Sequence, residues 1–217
     1  MVQLSISAAS SYVRKMLDEL VSVEEIGMIA SPDGIDLHRL VEGAIVEAVI
    51  KTHTNAPAFL IDGVKGEEGK DYTTLVSDDN VMVITMKTDV VRIASIKASD
   101  SEIVVSDLIP EDSAEGRKQL NKFVRGIPDD PRIVLQKTWA SDYCPILKYY
   151  TCSNSKEVKS IDLYYVPYPS IDETIVMVCP KLEYAVLNEV LAMVLDSLNE
   201  HEKAEFYRNK VKEYMEV

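Results

Sequence analysis

The sequence predicts an α+β protein: a helix pair at the N-terminal end, an antiparallel β-rich centre interrupted by a short inserted helix, and a second helix pair at the C-terminal end. Three observations carry that reading. Apolar residues recur three and four apart near both ends of the chain, which places them on one face of a helix. Between those ends, short β-branched runs alternate with polar turns, as strands do. No window approaches the roughly 18 consecutive apolar residues that a membrane-spanning helix requires. With 217 residues, 47% hydrophobic and 27% charged, the chain can bury a sizeable core and reads as one compact domain. Its expected parts are helical over 1–57, β-rich over 58–179 and helical again over 180–217.

The first helix falls within SISAASSYVRKMLDEL, residues 5–20, where Val13, Met16, Leu17 and Leu20 share a face and the serines can cap the first turn. The SPDG turn at 31–34 ends that segment. A second helix follows, with Leu37, Leu40, Val41, Ala44, Ile45, Ala48 and Val49 in helical rhythm. Asp36 occupies its N-cap position, and the NAP run at 55–57 stops it. The two helices are expected to pack as an antiparallel pair. DGVKGEEGK, residues 62–70, reads as a mobile surface loop, because it lacks the GxxxxGK[ST] order and carries acids where a phosphate would sit.

Strands are expected at YTTLV, VMVITM, VVRIASIKA and EIVV, with VMVITM covered on both faces and Arg92 and Lys97 of VVRIASIKA reaching solvent. In IPEDSAEGRKQLNKFVRGIPDDP, Pro110 and the acids after it suit the start of a short helix over 112–125. Leu120, Phe123 and Val124 give it an apolar patch. Arg117, Lys118, Lys122 and Arg125 make it the one concentrated basic element, either a solvated face or a contact for an acidic partner. RIVLQKTW, PILKYYTC and SIDLYYVPYP then alternate with period two, suggesting an antiparallel meander. Pro167 and Pro169 cannot donate to a ladder, so that last segment leaves the sheet. Tyr164, Tyr165 and Tyr168 suit either an interface or core packing. Residues 180–198 are apolar around most of their circumference, as in a helix buried on most sides. The final helix has a narrower stripe of Ala204, Tyr207, Val211, Tyr214 and Met215.

Net charge is −13, so the chain lacks the positive excess that drives phosphate-backbone binding. The acidity serves solubility, or lines a surface that a polyanion must pass without sticking. MVQLSISAASSYVRK has no basic flank before an apolar run, so no secretory signal is expected and synthesis is expected in the cytoplasm. Cys144, Cys152 and Cys179 form no CxxC pair, and are expected to stay reduced as small buried hydrophobes with no metal bound. His38, His53 and His201 share no spacing; His53 sits where a helix dipole favours a cation. No elbow, zinc, Walker or EF-hand motif points to catalysis, and no cofactor is expected.

Two segments carry a resemblance. In MKTDVVRIASIKASDSEIVVSDLIPEDSAEGRKQLNKFVRGIPDDP, Asp89, Arg92, Ile93, Ile96 and Lys97 form a D-x-x-R-[LIV]-x-x-[IVF]-K strand. Gln119, Asn121, Lys122, Arg125, Gly126 and Pro131 then follow a Q-x-N-K-x-x-R-G-x-x-x-x-P pattern. The second segment is LYYVPYPSID, running into LEYAVLNEVLAMVLDSLNEHEKAEFYRNKVKEYM. Together they resemble the virion structural ring, or head-to-tail connector, proteins of tailed, crAss-like bacteriophages. Ser101 and Glu102 stand where that family carries a tryptophan after its serine-rich turn. The resemblance implies a non-enzymatic subunit of a closed homo-oligomeric ring of about twelve copies, whose head-to-tail contacts need two different complementary surfaces. It also implies a place in the virion between the portal and other tail proteins, with DNA passing through unbound and no membrane contact. Subunit contacts are then expected at Arg117, Lys118, Lys122, Arg125, Tyr164, Tyr165, Tyr168, Tyr207 and Tyr214. Other readings are another virion component (a tail adaptor, capsid auxiliary or cargo protein), a non-viral acidic interaction domain, and a hydrolase built from dispersed residues.

Overall fold

The structure is a computed structural model, and it describes residues 1–20, 36–77, 81–127, 129–136, 144–150, 160–170 and 175–216. The expected turn at 31–34, Pro128 and Cys152 lie outside the described residues. In chain order the first elements are β1 (Val2–Ser5), α1 (Ile6–Leu20), α2 (Leu37–Asn55), β2 (Val64–Lys65), β3 (Tyr72–Val76), β4 (Val81–Met86) and β5 (Val90–Ala98). They continue as β6 (Ile109–Pro110), α3 (Ala114–Lys118), β7 (Arg132–Gln136), β8 (Ile146–Tyr150) and β9 (Ile161–Pro167). The last are β10 (Ile175–Val178), α4 (Glu183–Ser197) and α5 (His201–Met215). This is an α+β chain with N-terminal helices, central antiparallel sheets and a C-terminal helix pair. It divides into two compact units, Met1–Ile61 with Pro169–Val217, and Asp62–Tyr168.

In the helical unit, α4 is the hub. Val186, Val190, Leu191, Val194 and Leu195 are fully buried or nearly so, and each such side chain contributes about 1.5–3 kcal/mol relative to exposure. The helix packs against α1, α2 and α5, which accounts for its all-round apolar character. The buried faces of α1 and α2, Val13 and Leu17 with Val41, Ile45 and Val49, join the same core. Asp36 caps α2 as expected, its carboxylate accepting from the backbone N–H groups of His38 and Arg39. The extreme N-terminus forms a strand that the helical pattern hid: β1 pairs antiparallel with β10, Val2 opposite Val178. Two polar contacts tie the helices together inside this core. Glu189 of α4, buried, pairs with Lys51 of α2. Asn188 accepts from the Tyr12 hydroxyl at 3.2 Å and donates to the Tyr184 carbonyl at 2.8 Å.

His53 departs from expectation. It is not a cation at a solvated helix end but a fully buried ring. Nδ1 lies 2.8 Å from the Val49 carbonyl and Nε2 accepts from the Cys179 backbone N–H at 3.0 Å. A carbonyl on one nitrogen and an N–H on the other require the neutral ring with its proton on Nδ1. Of the cysteines, Cys179 is buried as expected, whereas Cys144 is only half-buried with Sγ 3.2 Å from Asp89 Oδ1.

The second unit holds two sheets whose facing side chains form one core. The larger runs β3-β4-β8-β7-β6, antiparallel except for the parallel β6–β7 pair; the smaller runs β2-β9-β5. Met82, Ile84, Leu147 and Tyr149 from the larger sheet meet Ile93, Ile96, Leu163 and Tyr165 from the smaller. The buried tyrosines find partners: Tyr149 donates to Asp100 and Tyr72 to the Ile161 carbonyl. The expected meander is therefore corrected. β7 and β8 are neighbours, but β9 crosses to the other sheet, with Ile93 opposite Tyr165. Alternation specifies which face of a strand is buried, not which strand lies beside it.

VMVITM is covered on both faces only at Val81, which joins Val134 and Tyr150 in a small second cluster; Val83 and Thr85 are half-buried. The glycine-rich stretch is also more than a loop. It contains β2, paired with β9, and a Cβ on Gly63 would stand 2.7 Å from the Tyr165 amide nitrogen. Only glycine lets that backbone approach so closely. Pro167 ends β9 as expected, opposite Val90.

Burial holds the His53 pKa below its ordinary value of 6.5. The unfolded chain takes up that proton first, so this contribution to stability is complete above the unfolded value and declines as pH falls towards the folded one. Urea unfolding at about pH 7.5 and about pH 5.5 should show a lower midpoint at the acid value. His53→Gln, which keeps a donor and an acceptor without a titrating ring, should shrink that difference; an unchanged difference would contradict the assignment.

Candidate functional site

The basic segment is shorter as a helix and more exposed than its sequence suggests. Ser113, not Pro110, opens it: its hydroxyl accepts from the Gly116 N–H at 2.9 Å and donates to the Pro110 carbonyl at 2.7 Å. Pro110 itself lies in β6, so the expected helix over 112–125 is corrected to α3, Ala114–Lys118. Gln119 explains why it stops there. Its side chain is buried, its Oε1 accepts from the Gly126 N–H at 3.0 Å, and its carbonyl accepts from Arg125 Nε at 3.0 Å. Asn121 Oδ1 takes the Phe123 N–H at 3.0 Å, closing an Asx turn that competes with helical bonding. A Cβ on Gly126 would meet the Arg132 nitrogen at 2.6 Å and the Tyr150 carbonyl oxygen at 2.8 Å.

That closure at the base leaves the tip uncovered. Leu120 is 65% exposed, Phe123 96%, Val124 55% and Ile127 44%. A single exposed apolar residue is ordinary, but four within eight positions form a patch. Arg117, Lys118 and Lys122 are exposed around it, while Arg125 is half-buried with its guanidinium 5.4 Å from the Tyr150 ring centroid. Neither Arg117 nor Lys118 makes an ion pair among the described residues.

Beside this turn runs a groove of about 560 Å3, lined by Ile103, Val104, Leu108, Ile109 and Pro110 with Asp107 and Glu115. Ile103 and Val104 are themselves 42% and 56% exposed. Arg132, bonded to Glu115 at 3.2 Å and Asp130 at 2.7 Å, separates the groove from a second hollow under Val124 and Arg125.

The tyrosines divide. Tyr164 and Tyr214 are exposed, Tyr168 is half-buried, and Tyr165 and Tyr207 are core residues of their respective units. In the helical unit, Tyr214 lies 5.8 Å from the exposed ring of Tyr184, and Lys210 stands 4.6 Å over the exposed Phe206 ring. On the same unit, the Asp196 carboxyl is held below its ordinary pKa by hydrogen bonds from His201 and Arg208, an internal role for all three. Among the described residues, no group of three or more His, Cys, Asp or Glu is placed to hold a metal, and no helix is long and apolar enough to cross a membrane. The exposure of Leu120, Phe123 and Val124 was the feature sequence reasoning missed. Its signal was present in Asn121, a turn former inside the expected helix. Compared with known proteins, the chain matches no protein-family model and no curated protein sequence.

Phe123→Ser should leave unfolding free energy within about 0.5 kcal/mol of wild type, because the ring touches almost nothing. Gly126→Ala should cost about 1–3 kcal/mol through backbone overlap at Arg132 and Tyr150. Chemical denaturation of both variants checks the pair.

Proposed function

We propose that the chain is a non-enzymatic structural subunit: one copy of a ring in the head-to-tail connector of a tailed bacteriophage, through which DNA passes. The observation that supports this most is the cationic, apolar turn at 117–127 on an otherwise strongly acidic protein. Four of the 23 Lys and Arg lie in that stretch, which has no acid; the other 19 face 36 Asp and Glu, leaving −17 elsewhere. Such asymmetry suits subunits that meet through unlike surfaces, the condition for a closed head-to-tail ring.

The turn also carries the Gln119, Asn121, Lys122, Arg125 and Gly126 of the connector-like pattern, and those residues build its closed base and exposed tip. In this reading, Tyr164 and Tyr214 add exposed aromatic surface for neighbours, whereas Tyr165 and Tyr207 serve the cores that hold those surfaces in place. The acidic remainder gives a lumen past which a polyanion slides without being held.

Lys118→Glu with Lys122→Glu should exclude the subunit from assembled particles at moderate salt while leaving the isolated chain folded. Particles that take up the double variant at the wild-type level would contradict the reading. Assembled rings should show no retention of duplex DNA at physiological salt in a filter-binding or mobility assay; tight duplex binding would remove the proposed role of the acidic surface.

A further inference from the structure

We infer that the turn at 119–127 of one copy seats in the groove beside β6 of a second copy, so that Phe123 and Val124 cover Ile103, Val104 and Leu108. This names the contact within the ring proposed above, and it rests on that reading. Four observations meet here. Both surfaces are apolar and uncovered in the single chain, with Phe123 96% and Val104 56% exposed. The groove, about 560 Å3, lies in the size range of cavities that enclose small organic groups.

Their charges are complementary and unspent. Arg117 and Lys118 beside the turn, and Asp107 and Asp112 beside the groove, make no ion pair among the described residues. The turn does not fill the groove of its own chain: its base is held by Gln119 and by the close approach of Gly126 to Arg132, and its tip stays in solvent. Turn and groove consist of different residues, so the contact is heterologous, and each copy can both give and receive. A large aromatic ring at the centre of such a contact, bordered by charged pairs, has the make-up of a binding hot spot.

Sedimentation velocity of the full chain over rising concentration tests this. Wild type should grow beyond a dimer as concentration rises. Phe123→Asp, which removes the turn, and Val104→Asp, which spoils the groove, should each weaken association by about thirtyfold or more. An equimolar mixture of the two should form a dimer that does not extend, because one intact turn meets one intact groove. Both substitutions fall on exposed side chains, and thermal unfolding near the wild-type midpoint confirms folding; Ile103→Ser replaces Val104→Asp if the latter unfolds.

A monomeric mixture, a single variant that associates like wild type, or a wild-type chain that stays monomeric throughout overturns the inference. Phe123-dependent binding to phosphatidylserine vesicles without self-association would also overturn it, placing a lipid surface on the turn. The ring reading fails separately: it falls if the Lys118→Glu, Lys122→Glu chain enters particles normally, whatever sedimentation shows.

Discussion

The exposed turn at 119–127 depends on one buried side chain. Gln119 ends α3, accepts from the Gly126 N–H and holds the Arg125 side chain through its own carbonyl. A buried amide with good partners is worth keeping and costly to disturb, since any loss leaves polar groups unpaired away from water. With the base closed this way, the intervening residues have no route back to the core. Phe123 and Leu120 therefore stay outside, where full burial of the larger ring alone would be worth about 1.5–3 kcal/mol. The folded chain leaves that energy unclaimed at a patch bordered by cations on an acidic protein, which is the observation behind the contact proposed above.

Each unit has its own framework. The two sheets of the β-rich unit supply a rigid platform: β7 and β8 carry Arg132 and Tyr150, the residues against which Gly126 packs, while β6 forms one wall of the groove. Within the helical unit, α4 plays the equivalent part, and its buried Glu189 and Asn188 fix how α1 and α2 lie on it through Lys51 and Tyr12.

What the sequence made legible followed local rules. Asp36 was readable as a cap because N-cap chemistry is confined to three residues. The burial of α4 was readable because an apolar circumference admits few other fates. What was hidden depended on partners distant in sequence: β1 on β10, β9 on β5, and His53 on the Cys179 amide. Residues 112–125 misled for a different reason. Their composition suits a helix, but Gln119 and Asn121 spend their side chains on backbone groups; Asn121 hinted at this, while the part of Gln119 shows only in three dimensions. The cationic residues were visible from the start; that their apolar neighbours face solvent beside a groove was not.

Hydrogen–deuterium exchange, compared between dilute and concentrated protein, addresses the central claim most directly, because it reports which backbone a neighbour covers. The account predicts slowed exchange at high concentration confined to residues 103–110 and 117–127, with the cores of both units unchanged. Protection centred elsewhere, or protection of those two segments that a small molecule reproduces in dilute protein, would contradict it.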